Sequence, residues 1–234
     1  LTFYKLINFT LKFILTLILT LIISFFLIIQ PDLGQTLLIG FTWMVLIFIS
    51  GVNLIFLSAI SVIGLSLLLY FIFYVAKFEY IKSRILSFFD SETGTHNFQS
   101  DKALESITSG GFFGKGIGEG TLKNKVPEAH TDYIISVISE EFGVIVIILI
   151  LILFLVFIFS IFKKVNIEKD HKTKLILVGS ASLILIQAMI HIGVNIRLFP
   201  TTGMTLPFLS YGGSSIISTS ILSGIILNLT KRKI

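Results

Sequence analysis

The residues of this sequence that could carry out chemistry are concentrated between positions 109 and 143. This segment reads SGGFFGKGIGEGTLKNKVPEAHTDYIISVISEEFG, whereas most of the chain consists of long apolar runs. Its single aspartate, Asp132, stands at the start of one of those runs, where a charged group is costly to hold unless it has a function. A carboxylate in such a position can act as a general base, which accepts a proton from a reacting group. We therefore interpret Asp132 as the centre of the chemistry.

A simpler role for Asp132 is to cap the helix that follows it, because an acidic side chain near a helix N-terminus complements the helix dipole. Two features favour a functional role. Ser136, Ser139 and Gly143 share a helical face with Asp132 and predict a small, polar surface that lines a cavity. The glutamate pair at 140–141 lies about 12 Å further along the helix, where each carboxylate must be paired, protonated or hydrated. The residues alone leave both roles open.

The run GGFFGKGIGEG at positions 110–120 is unusually rich in glycine. Glycine permits positive φ angles and close backbone approach, so the backbone N–H groups of this run could cradle a phosphate. The alternative is a purely structural loop. The run does not follow a strand within a βαβ unit, so the sequence excludes the dinucleotide-binding fingerprint.

The composition indicates an integral membrane protein. The chain has 234 residues, of which 54% are hydrophobic and 13% charged, and its mean hydropathy of +0.98 lies outside the range of soluble domains. A net charge of +5 could suggest a nucleic-acid partner, but in membrane proteins excess Lys and Arg usually mark cytoplasmic loops. We therefore expect no nucleic acid. The absence of cysteine excludes disulfides and thiolate metal sites.

The apolar runs predict an all-α, polytopic bundle of about six spanning helices that forms a single membrane domain over residues 1–234. The six predicted spans cover residues 6–29, 35–50, 54–76, 133–162, 175–195 and 214–229. The segment 77–132 is then a long extracytoplasmic loop. Apolar residues recur in it at helical spacing, at Ile81, Ile85 and Phe88 and, less regularly, around 98–107, which predicts short amphipathic helices on the membrane surface.

Basic residues set the expected orientation of the bundle. Lysines precede the first span, cluster between 163 and 174, and return at 231–233, and an alternating path places these groups on one side. That side is the cytoplasm, so the C-terminus is expected there. The chain begins with Leu1 rather than Met. We expect an N-terminally incomplete protein.

Three further features are polar. Asp32, in the turn QPDLG, is expected to cap a helix rather than to act in catalysis. Gln187, His191 and Asn195 form a polar stripe along one predicted span, for which interhelical hydrogen bonding is the first interpretation and proton transfer the second. The segment 198–215 contains several prolines and glycines and is interpreted as a re-entrant loop, with substrate lining as the second interpretation.

The motifs of this sequence together resemble those of the SEDS family of shape, elongation, division and sporulation proteins. The matching motifs are QPDLG at 30–34, SGGFFGKGIGEG at 109–120, VPEAHTDYI at 126–134, EEFG at 140–143 and PTTGMTLPFLSYGGSS at 200–215. They extend over nearly the whole chain and are highly specific. The residues of the last motif are more similar to those of the division branch of the family than to those of its rod-elongation branch, which remains the near alternative.

The resemblance implies a peptidoglycan glycosyltransferase of about ten helices that polymerises Lipid II during septal wall synthesis in cell division. It implies a multi-pass protein of the bacterial cytoplasmic membrane at the division septum, with other division proteins, membrane lipid and a class B penicillin-binding protein transpeptidase as partners. The essential acid of the family matches Asp132. The sequence departs from the family at Ser91, where a proline is usual, so the local loop shape is in doubt.

Within that interpretation, several residues are candidates for binding the substrate. For the diphosphate of the lipid carrier the candidates are the basic residues Arg84, Lys115, Lys123, Lys125 and Arg197. Further candidates for substrate binding are Glu128, His130, Ser210 and Tyr211. A divalent cation, Mg²⁺ or Mn²⁺, could assist as a clamp on the diphosphate.

Two other functions stay open at this point. A flippase that moves lipid-linked precursor across the bilayer would also use polar stripes and irregular loops. A transport path should be polar on both sides of the membrane, whereas the single outward carboxylate, Asp132, lies on one side. This asymmetry favours the enzyme. The other alternative is a structural member of a division complex that carries out no chemistry.

Overall fold

Helices dominate this chain because backbone N–H and C=O groups inside a bilayer must find their partners within the chain itself. The computed structural model describes residues 2–89, 95–122 and 125–231, and these residues form nine α-helices and no strand. The helices are α1 (Thr2–Ile29), α2 (Leu33–Ile49), α3 (Leu54–Tyr74), α4 (Glu79–Phe89), α5 (Thr95–Gly110), α6 (Ile134–Phe142), α7 (Val144–Ile167), α8 (His171–Asn195) and α9 (Gly213–Thr230).

Five of the helices in the described part are long and apolar enough to cross a membrane, namely α1, α3, α7, α8 and α9. The apolar helix α2 has 17 residues, which is near the lower limit for a span. The predicted all-α, polytopic architecture is therefore confirmed, and the chain is a membrane protein. All six predicted spans correspond to helices, the second of them short.

The fourth predicted span was wrong at its beginning. It was expected to start at Tyr133, but Gly143, with φ 80° and ψ 175°, ends α6 and separates it from α7. A Cβ atom at Gly143 would lie 2.2 Å from the carbonyl oxygen of Phe112, so another segment fills the space beside the break. The apolar run that crosses the membrane begins at Val144, and α6 is a separate short helix.

Helix α8 is the central element, because it contacts α2, α5, α6, α7 and α9. Small residues on α8 let its neighbours approach closely, as is usual where lipid already surrounds apolar side chains. Ser180, Ala181 and Ser182 are buried, and a Cβ atom at Gly179 would come within 3.3 Å of Leu46 on α2. The bundle is therefore assembled around α8.

The segment between α3 and α6 contains the predicted amphipathic helices, α4 and α5. Ile81 of α4 is buried with Ile72 of α3 and with Phe78, which lies in a short 3-10 turn. Helix α5 buries Ala103 and packs along α6, while Phe98 is half exposed. Both helices are confirmed, and they bring the polar segment against the end of α8.

Candidate functional site

Asp132 lies in the turn that leads into α6. The N-cap of α6 is Tyr133, and no side chain caps the helix. The capping alternative for Asp132 is therefore wrong. The predicted cavity face is also wrong, because Ser136 and Ser139 are fully buried against α5. There the Ser106 hydroxyl donates to the carbonyl of Ser136 at 3.2 Å, so this face holds two helices together.

Three hydrogen bonds fix the backbone around Asp132. The side-chain amide of Asn195, at the end of α8, donates to the carbonyl of Asp132 at 3.0 Å. The Ser210 hydroxyl donates to the carbonyl of Thr131 at 2.6 Å, and the Tyr211 N–H donates to the carbonyl of His130 at 3.0 Å. The acid is thus positioned through its backbone, which leaves its carboxylate for other partners.

The electrostatic surroundings of Asp132 raise its pKa. Partial burial is the main cause, and the negative charge of Glu128 adds to it. A hydrogen bond from Thr131 and the positive charge of Arg84 oppose the shift. The Thr131 hydroxyl also donates to the Glu128 carboxylate at 3.0 Å, so it lies beside both acids. A raised pKa makes the ionised Asp132 a stronger base than an ordinary aspartate.

Arg84 connects α4 to this site. Its Nη1 donates to the carbonyl of Thr201 at 3.3 Å, and its guanidinium lies 4.4 Å from the ring centroid of Tyr80, whose hydroxyl accepts from Nη2. The Nε–H donor is buried without a hydrogen-bond partner among the described residues. Arg84 therefore retains an unused donor close to Asp132.

Two residues that are next in sequence to Asp132 and to Gly203, namely Tyr133 and Thr202, also have buried hydroxyls without a hydrogen-bond partner in the described part of the chain. Burial and the charge of Asp132 raise the pKa of Tyr133, so its hydroxyl stays protonated and can donate. Thr202 adjoins Gly203, where a Cβ atom would stand 3.5 Å from the Asp132 carboxylate. Buried polar groups are usually satisfied, so unused ones beside an acid indicate a site for a polar ligand.

The polar stripe of α8 holds the segment 198–212 in place. Gln187 donates to the carbonyl of Thr205 at 2.9 Å, and His191 Nδ1 lies 2.7 Å from the carbonyl of Met204. Asn195 continues the stripe to Asp132. The stripe does form the predicted kind of hydrogen bond, but its partners are mainly carbonyls of the loop and of the turn at Asp132 rather than other helices, and it fixes the segment 198–212 as one wall of the site.

The turn QPDLG supports the same loop. Asp32 accepts from the Gln35 N–H at 2.9 Å and caps α2, which confirms its structural role. A Cβ atom at Gly34 would lie 2.8 Å from Met204 and 3.1 Å from Thr202, so only glycine permits this contact. The two family motifs that sequence places far apart are therefore in direct contact.

Backbone strain also concentrates around the site. Glu128, Arg197 and Phe208 have φ angles of 54°, 60° and 69°, which non-glycine residues rarely adopt. Each lies in a segment that flanks Asp132, before α6 or after α8. Such strain persists only where the surroundings fix it and is frequent at functional sites. Sequence reasoning missed this feature because residue type does not predict a positive φ at these positions.

The opposite end of α6 is a closed structural region. The fully buried Glu140 carboxylate accepts from the Leu122 N–H at 2.9 Å and from the Ser106 hydroxyl at 3.1 Å, and Lys115 Nζ lies 3.5 Å from it. The Glu141 carboxylate accepts from the Gly118 N–H at 3.2 Å. The glycine-rich loop donates its N–H groups to these acids, which supports the structural interpretation over a phosphate cradle.

The structure brings some of the predicted residues together and separates others. Arg84, Glu128, His130, Ser210 and Tyr211 surround Asp132, and the His130 and Tyr211 rings lie 5.9 Å apart at an exposed edge. The remaining basic candidates lie elsewhere or have other partners. Lys115 pairs with Glu140, and Arg197 forms an ion pair with Asp101 at 2.5 Å. The pKa of Glu105 on α5 is lowered mainly by Lys102 and to a smaller extent by Lys125, so Lys125 lies near α5.

Lys123 lies outside the described residues. Sequence reasoning also missed Tyr133, Thr202 and Gly203 as parts of the site, although the last two belong to a quoted motif. No group of three His, Asp or Glu side chains within the described ranges could ligate one metal ion. Glu128 lies close enough to Asp132 for its charge to raise the pKa of that acid. Mg²⁺ commonly takes only one or two carboxylates together with substrate phosphates, so Glu128 could supply one ligand to a cation that the substrate also binds.

Comparisons with known proteins agree with these motifs. A profile of the FtsW/RodA/SpoVE family, described as cell cycle proteins, matches residues 5–234. The "Probable peptidoglycan glycosyltransferase FtsW" of Caulobacter vibrioides (strain NA1000 / CB15N) is 35% identical over 210 residues, which cover 88% of this chain and 52% of that protein. The "Stage V sporulation protein E" of Bacillus subtilis (strain 168) is 39% identical over 220 residues, covering 89% and 57%.

A solved structure is also similar to this chain, with a TM-score of 0.70 and 27% identity. It is described as "Structural coordination of polymerization and crosslinking by a peptidoglycan synthase complex", and the match covers 91% of this chain and 60% of that one. The chain spans about half the length of the curated relatives that it matches.

Proposed function

Because the chain belongs to the FtsW/RodA/SpoVE family of cell cycle proteins, we propose that it forms the catalytic part of a peptidoglycan glycosyltransferase. The substrate is Lipid II, which is joined into glycan strands during septal wall synthesis. The observation that carries this proposal is Asp132, an acid with a raised pKa that is fixed through its backbone beside unused hydrogen-bond donors. Several curated relatives named as probable peptidoglycan glycosyltransferases support the same reaction.

In the proposed reaction, Asp132 acts as the general base. Its carboxylate accepts the proton of the GlcNAc hydroxyl on the incoming Lipid II, and the hydroxyl oxygen forms a bond to the anomeric carbon of the growing strand. The bond from that carbon to the lipid diphosphate breaks, and the diphosphate leaves with the electron pair. Positioning of the acid through Asn195 and Ser210 favours this step, because a base must stay within hydrogen-bond reach of the proton that it removes.

We assign the stabilisation of the leaving diphosphate to Arg84. Its charge reaches Asp132, and its unused Nε can donate to a phosphate oxygen. The hydroxyls of Tyr133 and Thr202, which have no partner among the described residues, are further candidate donors. A divalent cation beside Glu128 would neutralise additional charge on the diphosphate. Arg197 and Lys115 have carboxylate partners within the chain and are left out of this assignment.

The exposed rings of His130 and Tyr211 are assigned to the sugars of the substrate. Both residues are tied to the segment that carries Asp132, since the Tyr211 N–H donates to the carbonyl of His130. An aromatic ring has a negative face, which attracts the partly positive C–H groups of a sugar ring. An aromatic edge beside the base can therefore hold the acceptor sugar near Asp132.

We propose that the protein lies in the bacterial cytoplasmic membrane at the division septum, with its C-terminus in the cytoplasm. The lysine clusters after α7 and at the end of α9 support this orientation. We propose a class B penicillin-binding protein as the partner, which the similarity to a structure described as a peptidoglycan synthase complex supports. The division role is favoured over rod elongation by relatives that carry the FtsW name.

The test uses the full-length protein and its partner reconstituted in vesicles, with fluorescent Lipid II supplied on one face. The expected result is longer glycan chains from the wild type and none from Asp132→Asn, with equal amounts of folded protein and bound partner. Movement of labelled lipid without chain growth would instead support a flippase. Wild-type polymerisation by Asp132→Asn would contradict the proposed base.

A further inference from the structure

Three large apolar side chains project from the glycine-rich loop. Phe112, Phe113 and Ile117 have 75%, 84% and 77% of their surface exposed. They lie within six consecutive positions of one loop, so this loop carries a local concentration of exposed apolar side chains. Contiguous exposed apolar patches usually mark a surface that contacts a partner or a membrane. We call these three residues the loop tip.

The loop that carries the tip is attached to the beginning of a membrane span. The carbonyl of Gly111 accepts from the Val144 N–H at 3.0 Å, and the carbonyl of Phe112 accepts from the Ile145 N–H at 3.4 Å. These are the first two residues of α7. The tip is therefore held next to the N-terminal end of α7 by backbone hydrogen bonds.

The length of α7 fixes the position of that end relative to the bilayer. The uncharged stretch from 144 to 162 measures about 28 Å in a helix, which matches a hydrocarbon core of about 30 Å. Lys163 and Lys164 follow directly and mark one boundary of the core. Val144 then lies at the opposite boundary, and the loop tip lies at the same level.

We propose that the loop tip inserts into the lipid bilayer at the boundary between headgroups and acyl chains. The exposed face of α7 continues the same apolar surface, since Ile145, Ile148 and Leu149 are about half exposed. Aromatic residues are enriched at this level of membrane proteins because a ring tolerates both the apolar and the hydrated side. The occupant of the patch is lipid, and this inference does not depend on the proposed function.

Insertion of the tip has a consequence for the rest of the polar segment. The same loop binds the far end of α6, where the N–H groups of Lys115 and Gly116 donate to the carbonyls of Glu140 and Glu141 at 2.8 and 3.1 Å. Asp132 precedes α6 at its other end. An anchored tip therefore fixes the height of α6, and with it the height of Asp132, above the bilayer.

Fluorescence of the protein in vesicles tests this proposal. The chain has one tryptophan, so Trp43→Phe gives a silent background, and Phe113→Trp adds a single reporter at the tip. The expected result is a blue-shifted emission that brominated lipids quench most strongly when the bromine lies about 5–10 Å below the headgroups. Phe112→Trp in the same background is a second reporter if the first variant folds poorly.

A calibration reporter at Leu153→Trp, on the exposed middle of α7, should instead be quenched most strongly by bromines near the bilayer centre. An emission from position 113 like that of tryptophan in water, quenched by aqueous acrylamide and insensitive to brominated lipids, would overturn the proposal. A patch reserved for a protein partner would give that same water-exposed result in vesicles that contain this protein alone.

Discussion

Helix α6 has carboxylates at both of its ends, and their surroundings differ. At the C-terminal end, Glu140 is fully buried and accepts from a backbone N–H, a hydroxyl and a lysine. At the N-terminal end, Asp132 is half buried, is held through its backbone carbonyl, and has unused donors nearby on Arg84 and Tyr133. Asp132 lies just before α6 and Glu140 near its C-terminal end, yet only Glu140 is compensated by a lysine and by several hydrogen-bond donors.

The difference distinguishes a structural acid, Glu140, from the acid that we propose as the catalytic base, Asp132. Burial of an ionised carboxylate is tolerated when hydrogen bonds and a cation compensate for the lost hydration, as they do at Glu140. At Asp132 the compensation is incomplete, and the pKa is raised as a result. A residue with a perturbed pKa beside unused polar groups is a candidate for catalysis. Glu140, by contrast, fastens the glycine-rich loop to α5 and α6.

The largest expected effect compares Asp132→Asn with Glu140→Gln. Removing a positioned base should lower the polymerisation rate by about a hundredfold to ten-thousandfold without a loss of stability. Glu140→Gln should instead lower the free energy of unfolding by about 1–3 kcal/mol. The neutral amide cannot balance the charge of Lys115 and leaves buried donors poorly paired. Glycan chain growth and thermal unfolding in detergent measure the two effects. A stable but inactive Glu140→Gln variant would break the comparison.

The next effect concerns the glycine-rich loop, for which Gly114 and Gly118 offer a matched pair. Their φ angles are 77° and 82°, so alanine at either position should cost about 1–2 kcal/mol in backbone strain. A Cβ atom at Gly114 would also lie 2.2 Å from the carbonyl of Glu141, whereas nothing lies within 4 Å at Gly118. Gly114→Ala should therefore unfold at a clearly lower temperature, with a further cost of about 1–3 kcal/mol. Equal losses would show that the loop does not dock closely on α6.

A smaller effect is expected from Ser210→Ala at the Asp132 end. The Ser210 hydroxyl donates to Thr131 and accepts from the buried Leu206 N–H, so its loss leaves one donor unsatisfied at about 1–3 kcal/mol. Without this bond Asp132 should be held less accurately, which lowers the rate. A rise of about 1.4 kcal/mol in the activation free energy corresponds to a tenfold lower rate. Ser218→Ala, which removes an exposed hydroxyl on α9, is the control. An unchanged rate in the Ser210 variant would show that this bond does not position the acid.

The smallest effect is a displacement of the pH profile. Ionised Asp132 is required, so the rate should fall below its raised pKa. Glu128→Gln removes a charge that raises this pKa and should move the acid limb to lower pH, while Arg84→Gln should move it to higher pH. For stability the sign is opposite: because the folded pKa exceeds the unfolded one, the contribution of Asp132 is full at low pH and is lost as the pH rises through the folded value. If the acid limb moved in the same direction in Glu128→Gln and in Arg84→Gln, these electrostatic assignments would be contradicted.

Much of the fold could be predicted from the sequence, since the membrane-crossing helices follow from uninterrupted apolar runs. The beginning of the fourth span could not, because residues 133–142 have the right hydrophobic spacing for a continuous helix. The break at Gly143 depends on the approach of the Phe112 carbonyl, which is a contact between distant segments. The hydrophobic spacing within one segment contains no information about contacts with a distant segment.

The sequence by itself determined the membrane class and the family and singled out Asp132 as the candidate base, because composition, apolar length and specific motifs are properties of short stretches of chain. Only the tertiary structure decided which of the charged residues surround the acid. Arg84 lies at the site, while Arg197 is paired with Asp101 and Lys115 with Glu140. The physical reason is that the energy of a charge depends on burial and on partners, and both are set by how the helices pack around α8.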